Sequence, residues 1–435
     1  AAAKVKLLAD PKAQATDVWA FSGQVPGPVI RARQGERLQI ALGNGLPTET
    51  TLHCHGLRLP NAMDGVPDLT QAPIAQGGKF IYEFDLPDAG TYWYHPHIQT
   101  VEQVGRGLHG ALIVEEATPP KVDRELVWVI DDWRVDDSGA ITDDFHHPHD
   151  ISHSGRIGNL ITVNGAELKD VPVRAGERIR LRLINAANAR VFGLKFGGLE
   201  PQVIAIDGHP VAPHAAAGGR VALGPGQRVD LMVDMAGKPG DRMAVVDEYY
   251  ERFTYTFATF VHEPGAPLRE SPLDAVMALA PNPVPEPDLG AAESQEILIE
   301  GGAMGGLREA MFKGEKVGLR QLWRQHGKVW VLNGVASSGF SDDPMFRLKQ
   351  GKSYRWRIRN DTVWDHPMHL HGHAFRIVTR NGKPESRTPW SDTVMLHADD
   401  VVEVAFVADN PGKWLFHCHV LEHHHGGMGT VVEVA

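Results

Sequence analysis

The stretch PGKWLFHCHVLEHHHGGM, residues 411–428, contains a cysteine between two histidines. If this stretch begins as a β-strand, Cys418 faces one side of the sheet and its two neighbours face the other, because side chains alternate along a strand. One strand can then serve two metal sites. A Cys thiolate, two imidazoles and a distant axial Met are the ligands of a mononuclear electron-transfer copper site. Cys418, His423 and Met428 supply three of these four ligands.

Histidines elsewhere complete that site and predict a second one. His366, in the segment HPMHLHGH, supplies the missing imidazole. Four His-x-His pairs offer eight further imidazoles, namely His53/His55, His95/His97, His369/His371 and His417/His419. With 23 histidines in 435 residues, roughly one such pair is expected by chance, whereas seven occur. Eight nitrogen donors suit a cluster of three copper ions.

The composition bounds the class of protein. A chain of 435 residues is long enough for about three domains. Its 42% hydrophobic and 22% charged residues are typical of a globular protein, and no apolar run approaches the ~20 residues that cross a bilayer. A net charge of -11 opposes binding to nucleic acid phosphates. The composition leaves the oligomeric state open.

The two cysteines, Cys54 and Cys418, are too few for a disulfide framework. A disulfide between them is one interpretation, but it would remove the thiolate from an otherwise complete metal site. We therefore favour two unpaired thiols. Cys54 also lies between two histidines, and on a strand it would face away from them as a small buried side chain.

A repeated pattern predicts the domain organisation. The segments RQGERLQIALGN, RAGERIRLRLIN and KQGKSYRWRIRN each place an Asn nine residues after a Gly, at Asn44, Asn185 and Asn360. Apolar and polar positions alternate between the two residues, which predicts a half-buried strand entered through a glycine turn. Three copies indicate three similar β domains.

The histidine motifs follow this repeat. Nine residues after the first and third Asn stand His53 and His369, which open HCHG and HLHG. At the same offset the middle copy has LKFG, with Leu194 and Phe196 in place of imidazoles. AGTYWYHPH and PGKWLFHCH correspond in the same way. A metal cluster is therefore predicted between the first and third domains, and the middle domain is predicted to hold no copper.

Turn signals and prolines predict the boundaries. We expect domains at residues 1–117, 118–263 and 296–435, with a proline-rich linker at 264–295. Short strand patterns separated by NG, DG and PG turns predict an all-β protein built of Greek-key sandwiches or barrels.

These motifs carry a resemblance that covers the whole chain. The sequence is similar to three-domain, bacterial-type multicopper oxidases, the family of laccases, bilirubin oxidases and bacterial cuprous oxidases. The resemblance implies three cupredoxin-like domains and four copper ions, with one type 1 ion in the third domain and one type 2 ion and a type 3 pair between the first and third. It implies type 1 ligands at His366, Cys418, His423 and Met428, type 2 ligands at His53 and His369, and type 3 ligands at His55, His95, His97, His371, His417 and His419.

The resemblance also implies an activity. Phenolic or aromatic reductants would give up single electrons at the type 1 copper, and dioxygen would be reduced to water by four electrons at the cluster. The tripeptide from His417 to His419 would carry electrons between the sites. Met428 as axial ligand favours a modest reduction potential. The resemblance also implies a periplasmic or secreted mature protein, with which first residues, AAAKVKLLADPK, that do not look like a signal peptide are consistent.

Other activities stay open. The main alternative is a metallo-oxidase that acts on Cu(I) or Fe(II) in metal tolerance. Cuprous specialists often carry a methionine-rich segment, because thioether sulfur suits Cu(I), whereas here only Met304 and Met311 lie near one another in a plausible stretch. This favours the phenolic substrate class. A copper carrier without catalysis, or a copper nitrite reductase, fits the full ligand set less well.

Three acidic residues have two interpretations each. Asp64, nine residues after His55, matches the acidic residue that the family keeps near its cluster and is a candidate proton relay. Alternatively, it only makes an Asp-Gly turn. Asp365 and Asp392 are either hydrogen-bond acceptors for ligand imidazoles or turn residues.

The remaining histidines are less specific. His424 stands where bacterial relatives commonly carry Glu, so a second proton relay is in question. The segment from His146 to His153 either captures copper, shapes the substrate mouth or, as we favour, is a solvated loop. His425 is expected on the surface.

Overall fold

The computed structural model describes residues 1–8, 14–269, 274–339 and 343–435. Strands dominate these ranges, and the four α-helices in them are short. The prediction of a mostly β protein is therefore confirmed. Within the described ranges, none of the helices has the length and apolar character needed to span a bilayer.

The first strand group contains the two strands of the amino-terminal His-x-His pairs. Strands β1 to β8 are Ala2–Val5, Thr16–Trp19, Gly27–Arg33, Arg37–Gly43, His53–His55, Lys79–Asp85, Gly90–His95 and Gly110–Glu115, with a 3-10 turn at Asn61–Met63 and helix α1 at Thr100–Gly105. One sheet has the order β3-β8-β7-β5, and β4 pairs separately with β6. Strands β5 and β7 are therefore neighbours.

The middle strand group is a two-sheet sandwich. Strands β9 to β19 are Arg124–Trp133, Leu160–Val163, Asp170–Val173, Arg178–Asn185, Phe192–Phe196, Gln202–Ile206, His209–Ala215, Arg220–Leu223, Arg228–Asp234, Arg242–Asp247 and Tyr255–His262, with helix α2 at Pro148–Ser152 and 3-10 turns at Ala217–Gly219 and Glu251–Phe253. The sheets have the orders β10-β9-β12-β17-β14-β15 and β11-β19-β18-β13-β16. Both line one apolar core, which includes Trp128, Leu181, Phe192 and Phe260.

The third strand group contains the carboxyl-terminal motifs. Strands β20 to β33 are Glu293–Gly301, Glu309–Phe312, Glu315–Gly318, Trp330–Leu332, Phe346–Leu348, Ser353–Asn360, His366–Leu370, Phe375–Arg380, Lys383–Pro384, Trp390–Ser391, Thr393–Leu396, Val401–Val407, Gly412–Cys418 and Gly429–Val434, with helices α3 at Leu319–His326 and α4 at Leu421–His425. One sheet has the order β23-β20-β25-β31-β27-β28, with β29 beside β27, and the other β24-β33-β32-β26-β30.

One apolar core joins the first and third groups. Tyr82 and Tyr94 of the first group belong to the same buried cluster as Trp356, Phe406 and Phe416 of the third. Burial of apolar surface stabilises this contact by roughly 25 cal/mol for each Å² removed from water. The two groups that hold the His-x-His pairs are therefore packed together although the middle group separates them in sequence.

The repeated segments form equivalent strands, β4, β12 and β25. The side-chain amide of the Asn that ends each segment donates to two backbone carbonyls, those of Thr48 and Ile74, Arg190 and Leu223, and Trp364 and His397. Each Asn thereby holds the loop that leads to the next strand, β5, β13 or β26. The repeat thus fixes where the first His-x-His strand of the first and third groups begins.

Strand β12 differs from the predicted half-buried pattern, because all its residues are buried. Its polar face carries Arg180 and Arg182, which the first group covers. Arg180 pairs with Glu116 and Asp230, and Arg182 donates to the Thr91 hydroxyl at 2.8 Å. The alternation is present, but its polar side faces a neighbouring strand group instead of water.

The proline-rich linker follows the surface of the first group. Residues 274–292 form neither helix nor strand, and β20 begins at Glu293, three residues before the predicted boundary. The side chain of Asn282 exchanges two hydrogen bonds of 2.9 Å with the backbone of Ala89. The Pro283 carbonyl accepts from Arg58 at 3.1 Å. Residues 270–273, also in the predicted linker, lie outside the described ranges.

Candidate metal centre

Two pairs of adjacent strands carry the His-x-His pairs. In the first group β5 pairs with β7, so that His53 lies opposite His95. In the third group β26 pairs with β32, so that His369 lies opposite His417. Antiparallel pairing therefore brings two histidine pairs together in each group, as the correspondence of the motifs predicted.

The two strand pairs face each other across the contact between the groups. The rings of His55 and His369 stack with centroids 3.7 Å apart, and those of His53 and His371 at 4.0 Å. Donor atoms lie within 4.8 Å of one another in three sets, His53 with His55 and His95, His53 with His369 and His371, and His97 with His371 and His417. The ring of His419 lies 4.9 Å from that of His55. All eight predicted imidazoles are buried in this one cluster.

Hydrogen bonds orient these imidazoles. His53, His95 and His369 each donate through Nδ1 to a backbone carbonyl at 2.9 Å. Their Nε2 atoms are buried and have no hydrogen-bond partner among the described residues. His55 is turned the other way, with Nε2 held by Asp392 at 3.0 Å and Nδ1 buried without a partner there.

Such nitrogens fit a metal cluster. A buried polar atom without a partner costs about 1–3 kcal/mol, and metal-bound imidazoles usually donate their second nitrogen to a carbonyl or carboxylate. Burial, the largest cause, lowers the pKa of His55, His95 and His369 below the ordinary histidine value. These rings are therefore neutral and keep a lone pair for a metal ion.

A second, smaller site lies on the other face of β32. The Sγ atom of Cys418 is 3.6 Å from Nδ1 of His366 and 3.7 Å from Nδ1 of His423, and those nitrogens are 3.0 Å apart. On the far sides of the rings, the Thr362 hydroxyl is 2.9 Å from Nε2 of His366, and Nε2 of His423 donates to the His153 carbonyl at 2.5 Å. All three candidate ligands are buried.

Helix α4 explains why His423 returns to Cys418. It begins three residues after the cysteine and turns the chain back within its five residues. The Met428 amide donates to the His423 carbonyl at 3.0 Å, and the Cys418 amide to the Met428 carbonyl at 3.1 Å. The Met428 side chain is buried in the same apolar core as Cys418. The four predicted mononuclear ligands are thus close in the fold.

Burial favours the metal-binding form of the two imidazoles at this site but disfavours that of the thiol. Burial lowers the pKa of His423 to about 4 and lowers that of His366 well below its ordinary value. Burial raises the pKa of the Cys418 thiol, an effect that a bound cation reverses, since a coordinated thiol loses its proton.

The two cysteines are both unpaired. Cys54 faces the apolar core, away from the histidines that flank it on β5, and burial raises the pKa of its thiol to about 12. The alternative of a disulfide between Cys54 and Cys418 is therefore wrong.

Asp64 makes a turn, as one of its interpretations predicted, and also contacts the candidate cluster. It caps the 3-10 turn Asn61–Met63, donating its amide to the Asn61 carbonyl at 3.1 Å. Its carboxylate is buried and lies between the two strand groups, with Oδ2 2.9 Å from Nδ1 of His371 and Oδ1 3.2 Å from Nδ1 of His53. The turn residue thus contacts the candidate cluster.

The other two acidic candidates differ from one another. Oδ1 of Asp392 lies 3.0 Å from His55 and 3.3 Å from Nδ1 of His369. Burial raises the pKa of Asp392, but the charge of Arg228, with His55 and the hydrogen bonds from Arg228 and His369, more than offsets burial, so the pKa is well below its ordinary value. Asp365 instead accepts from Tyr249 and from His397, neither of them a candidate ligand.

The segment from His146 to His153 is more ordered than a solvated loop. It forms α2, and the carbonyl of His153 contacts His423, so the segment covers the mononuclear site. The His153 ring stacks on His149 at 3.9 Å and meets Trp364 at 5.2 Å. His149 is exposed, so the outer side of this cover presents imidazole to solvent.

The last two histidines of α4, His424 and His425, have different surroundings. The His424 ring lies 4.4 Å from the ring of His417 and 5.7 Å from that of His97. His425 is exposed, as predicted, and its ring lies 4.3 Å from His146. A cavity of about 190 Å³ lies beside His424 and also touches His97.

Three residues that contact the site were not predicted. Thr362 and Thr393 touch candidate ligands through their hydroxyls, and Arg228 binds Asp392 from 164 residues away. No spacing rule connects these residues to the histidine motifs. Only the adjacency of Thr393 to Asp392 gave a local signal.

Comparison with known proteins identifies the family. Residues 4–119, 124–263 and 316–435 match family models described as multicopper oxidase. This chain belongs to the multicopper oxidase family. A multicopper oxidase is an oxidoreductase that binds copper and acts with dioxygen, and its domains are cupredoxin-like, so the predicted family, fold class and enzyme class are confirmed.

Solved multicopper oxidase structures are similar over the whole chain. The enzyme from Pseudomonas thermotolerans is 34% identical with a TM-score of 0.86, covering 100% of this chain and 98% of its own. The one from Pseudomonas parafulva is 35% identical with a TM-score of 0.85 and the same coverage. Multicopper oxidase MmcO of Mycobacterium tuberculosis is 29% identical over 94% of this chain and 82% of its own length.

Proposed function

We propose that this multicopper oxidase oxidises phenolic or other aromatic reductants one electron at a time and reduces dioxygen to water. Bound copper supplies the electron transfer and the oxygen chemistry. The observation that carries the proposal is the arrangement of β32, where Cys418 meets His366 and His423 on one face while His417 meets His371 on the other.

We propose four copper ions. Their ligands would be His366, Cys418, His423 and Met428 for type 1, His53 and His369 for type 2, and His55, His95, His97, His371, His417 and His419 for the type 3 pair. The orientation of the rings and their buried nitrogens support this assignment.

The chain itself links the two sites. Cys418 is covalently joined to His417 and His419, and Nδ1 of His417 donates to the Cys418 carbonyl at 2.9 Å. This hydrogen bond shortens the path between the thiolate and the cluster and fixes the ring of His417. Surrounding apolar side chains exclude water from the path.

Asp64 would position two imidazoles and hold a proton near the cluster. Its two oxygens face Nδ1 of His371 and of His53, which come from different strand groups. A carboxylate at that place can pass protons toward the oxygen chemistry as well as orient the rings. We propose both roles, with the orienting contact as the supporting observation.

The structure supports two substrate classes. The phenolic class is favoured by the absence of a methionine-rich cover in the described residues, where Met304 and Met311 are both exposed. Relatives include Laccase-1 of Botryotinia fuckeliana, 28% identical over 94% of this chain and 77% of its own length.

Oxidation of Cu(I) or Fe(II) is the second candidate. It is favoured by His149, which is exposed and whose ring stacks on that of His153. The backbone carbonyl of His153 in turn accepts a hydrogen bond from His423. Two relatives also support it. Copper resistance protein A of Escherichia coli is 24% identical over 95% of this chain and 89% of its own length. A multicopper oxidase of Campylobacter jejuni that is described as a metallo-oxidase is 25% identical with a TM-score of 0.81, covering 100% of this chain and 90% of its own.

We further propose the domain ranges 1–117, 118–263 and 296–435 with the linker 264–295, supported by the three strand groups and the matched family ranges. A periplasmic or secreted location is proposed with them. Its support is the family resemblance alone.

The decisive experiment measures copper content and then oxygen uptake. The loaded protein should hold close to four copper ions and consume oxygen with a phenol as reductant. Turnover on a phenol and turnover on Cu(I) are then compared at equal copper content. Faster turnover on Cu(I) would indicate that metal ions, and not phenols, are the substrate class. A protein that binds one copper or none under loading conditions would contradict the oxidase itself.

A further inference from the structure

The middle strand group supplies no candidate ligand, yet one of its side chains reaches the cluster. We propose that Arg228, on β17, is a positioning residue that sets the orientation of His55 and His369 through Asp392. The proposal rests on the copper cluster proposed above and names a residue that the ligand motifs do not include.

The contact between Arg228 and Asp392 is bidentate. Nη1 of Arg228 donates to Oδ1 of Asp392 at 2.8 Å and Nη2 to Oδ2 at 2.6 Å. Both side chains are completely buried. Paired, charge-assisted hydrogen bonds of this kind fix direction as well as charge, so the plane of the carboxylate is set by the guanidinium.

The same carboxylate then orients two imidazoles. Its Oδ1 lies 3.0 Å from Nε2 of His55 and 3.3 Å from Nδ1 of His369. An ionised carboxylate only accepts, so His55 must carry its proton on Nε2, which leaves Nδ1 facing the cluster as a lone-pair donor. The Thr393 hydroxyl, 2.7 Å from Oδ1 of Asp392, completes the arrangement.

Arg228 is itself held from all three strand groups. Its Nε donates to the Thr91 carbonyl of the first group at 3.1 Å, and Nη1 to the Gly226 carbonyl of its own group at 3.1 Å. Asp207, also in the middle group, lies 3.4 Å from Nη1. A guanidinium fixed on every side cannot adapt if its partner moves, so it imposes its geometry on Asp392.

The Arg228–Asp392 pair also packs closely against the histidine motif of β5. A Cβ atom on Gly56, the glycine of HCHG, would lie 2.5 Å from Oδ2 of Asp392 and would also overlap the Arg228 guanidinium. The motif therefore ends in glycine at this position because the Arg228–Asp392 pair lies directly against the backbone.

The experiment compares two changes at Arg228 with one at a matched arginine. Arg228→Gln removes the charge, and Arg228→Lys keeps it but loses the two-pronged contact. Arg182→Gln is the control, because Arg182 is equally buried and binds Thr91 and Asp230 but no candidate ligand. Each protein is loaded with Cu(II) and dialysed. The copper content per chain, the paramagnetic resonance spectrum of the type 2 ion and the visible absorption band of the copper-bound thiolate are then measured. The melting temperature is measured on a separate sample without copper.

We expect Arg228→Gln to weaken copper binding at the cluster by at most roughly 10–100-fold, the usual cost of losing the partner of a metal ligand, because Arg228 acts on His55 and His369 through that partner, Asp392. Its type 2 spectrum should change while the thiolate band per chain stays. Arg228→Lys should retain more cluster copper than Arg228→Gln, and Arg182→Gln should lower the melting temperature without loss of copper.

Two results would overturn the inference. One is a wild-type copper content and type 2 spectrum in Arg228→Gln, or in Arg228→Lys if the first variant does not fold. The other is an equal loss of cluster copper in Arg182→Gln, which would assign the effect to general stability. A wild-type protein without cluster copper would instead contradict the proposed function itself.

Discussion

Two cysteines with the same neighbours have different roles in this protein. Each lies between two histidines on a buried strand, but Cys418 faces two more imidazoles whereas Cys54 faces apolar side chains. The local sequence is the same, so the difference comes from what each strand face packs against. Cys54 is therefore a natural control for experiments that change Cys418.

Changing Cys418 to Ser should remove the thiolate absorption band and oxygen uptake, because the hydroxyl is a poor substitute for the soft thiolate. The fold should survive, since one buried ligand is changed. Visible absorption and an oxygen electrode measure the two losses. Cys54→Ser should keep both signals and lower the free energy of unfolding by about 1–3 kcal/mol, the cost of burying a hydroxyl. A thiolate absorption band that persists in Cys418→Ser, or that is lost in Cys54→Ser, would contradict the assignment.

Asp64 is the second residue whose role can be tested alone. Asp64→Asn keeps the shape but replaces one acceptor by a donor, which cannot accept from both His371 and His53. We expect reoxidation by dioxygen to slow roughly 10–100-fold, with little change in the reduction of the type 1 site by substrate. Stopped-flow absorption follows the two steps separately.

Asp365→Asn is the matched control for that experiment, because this carboxylate accepts from Tyr249 and His397 and from no candidate ligand. It should leave reoxidation by dioxygen unchanged. If Asp64→Asn slows both half-reactions equally, the role of Asp64 at the cluster is wrong.

At the scale of strands and turns, the two His-x-His-Gly motifs end in glycine for different reasons. Gly56 has φ of +89° and lies against Arg228 and Asp392, whereas Gly372 has φ of +66° and lies against the ring of Trp414. The same four-residue pattern thus meets an ion pair in one strand group and an aromatic ring in the other. Sequence similarity between β5 and β26 reflects the common turn and not common surroundings.

Gly56→Ala tests this difference against Gly35→Ala. Gly35 has a similar φ of +87°, but a Cβ there would meet nothing within 4 Å, so its change should cost only the left-handed backbone strain, about 1–2 kcal/mol. Gly56→Ala adds the overlap with Asp392 and should also lower the copper content of the cluster. Unfolding curves and copper analysis distinguish the two variants, and equal behaviour would refute the packing argument.

At the scale of the whole molecule, three strand groups converge on one buried cluster. The first and third groups share an apolar core and provide the imidazoles, and the middle group adds Arg228. Many neutral imidazoles are therefore buried together, which ties the stability of the copper-free protein to pH.

Nine candidate ligands have pKa values that burial lowers, namely His55, His95, His97, His366, His369, His371, His417, His419 and His423. The unfolded chain takes up protons on these rings below pH ~6.5, whereas the folded chain does not. The free energy of unfolding should therefore be retained above pH ~6.5 and fall as the pH drops below it, by about 1.4 kcal/mol per pH unit for each proton.

Denaturant unfolding of the copper-free protein between pH 7.5 and 5 measures this dependence. A slope equal to several protons is expected between pH 6.5 and 5. A stability that stays constant over that interval would show that the folded chain takes up as many protons as the unfolded chain, so that burial does not lower the pKa values of these rings. The copper-loaded protein should resist acid further before it loses metal, because bound copper competes with protons for the same nitrogens.

The sequence by itself determined the types of the candidate ligands, their grouping and the strand that joins the two candidate sites. These features follow from local geometry, since alternation along β32 separates Cys418 from His417, and five residues of chain suffice to bring His423 back. The repeat ending in Asn44, Asn185 and Asn360 likewise predicted three related strands, because a turn and its hydrogen bonds are local.

Only the tertiary structure decided which side chains hold those ligands. Arg228 meets Asp392 across 164 residues, Asp64 meets His371 across 307, and the carbonyl of His153 meets His423 across 270. Such contacts depend on how whole strand groups pack, which no spacing along the chain encodes. For the same reason β12 is buried on both faces, because its polar side is covered by a different strand group.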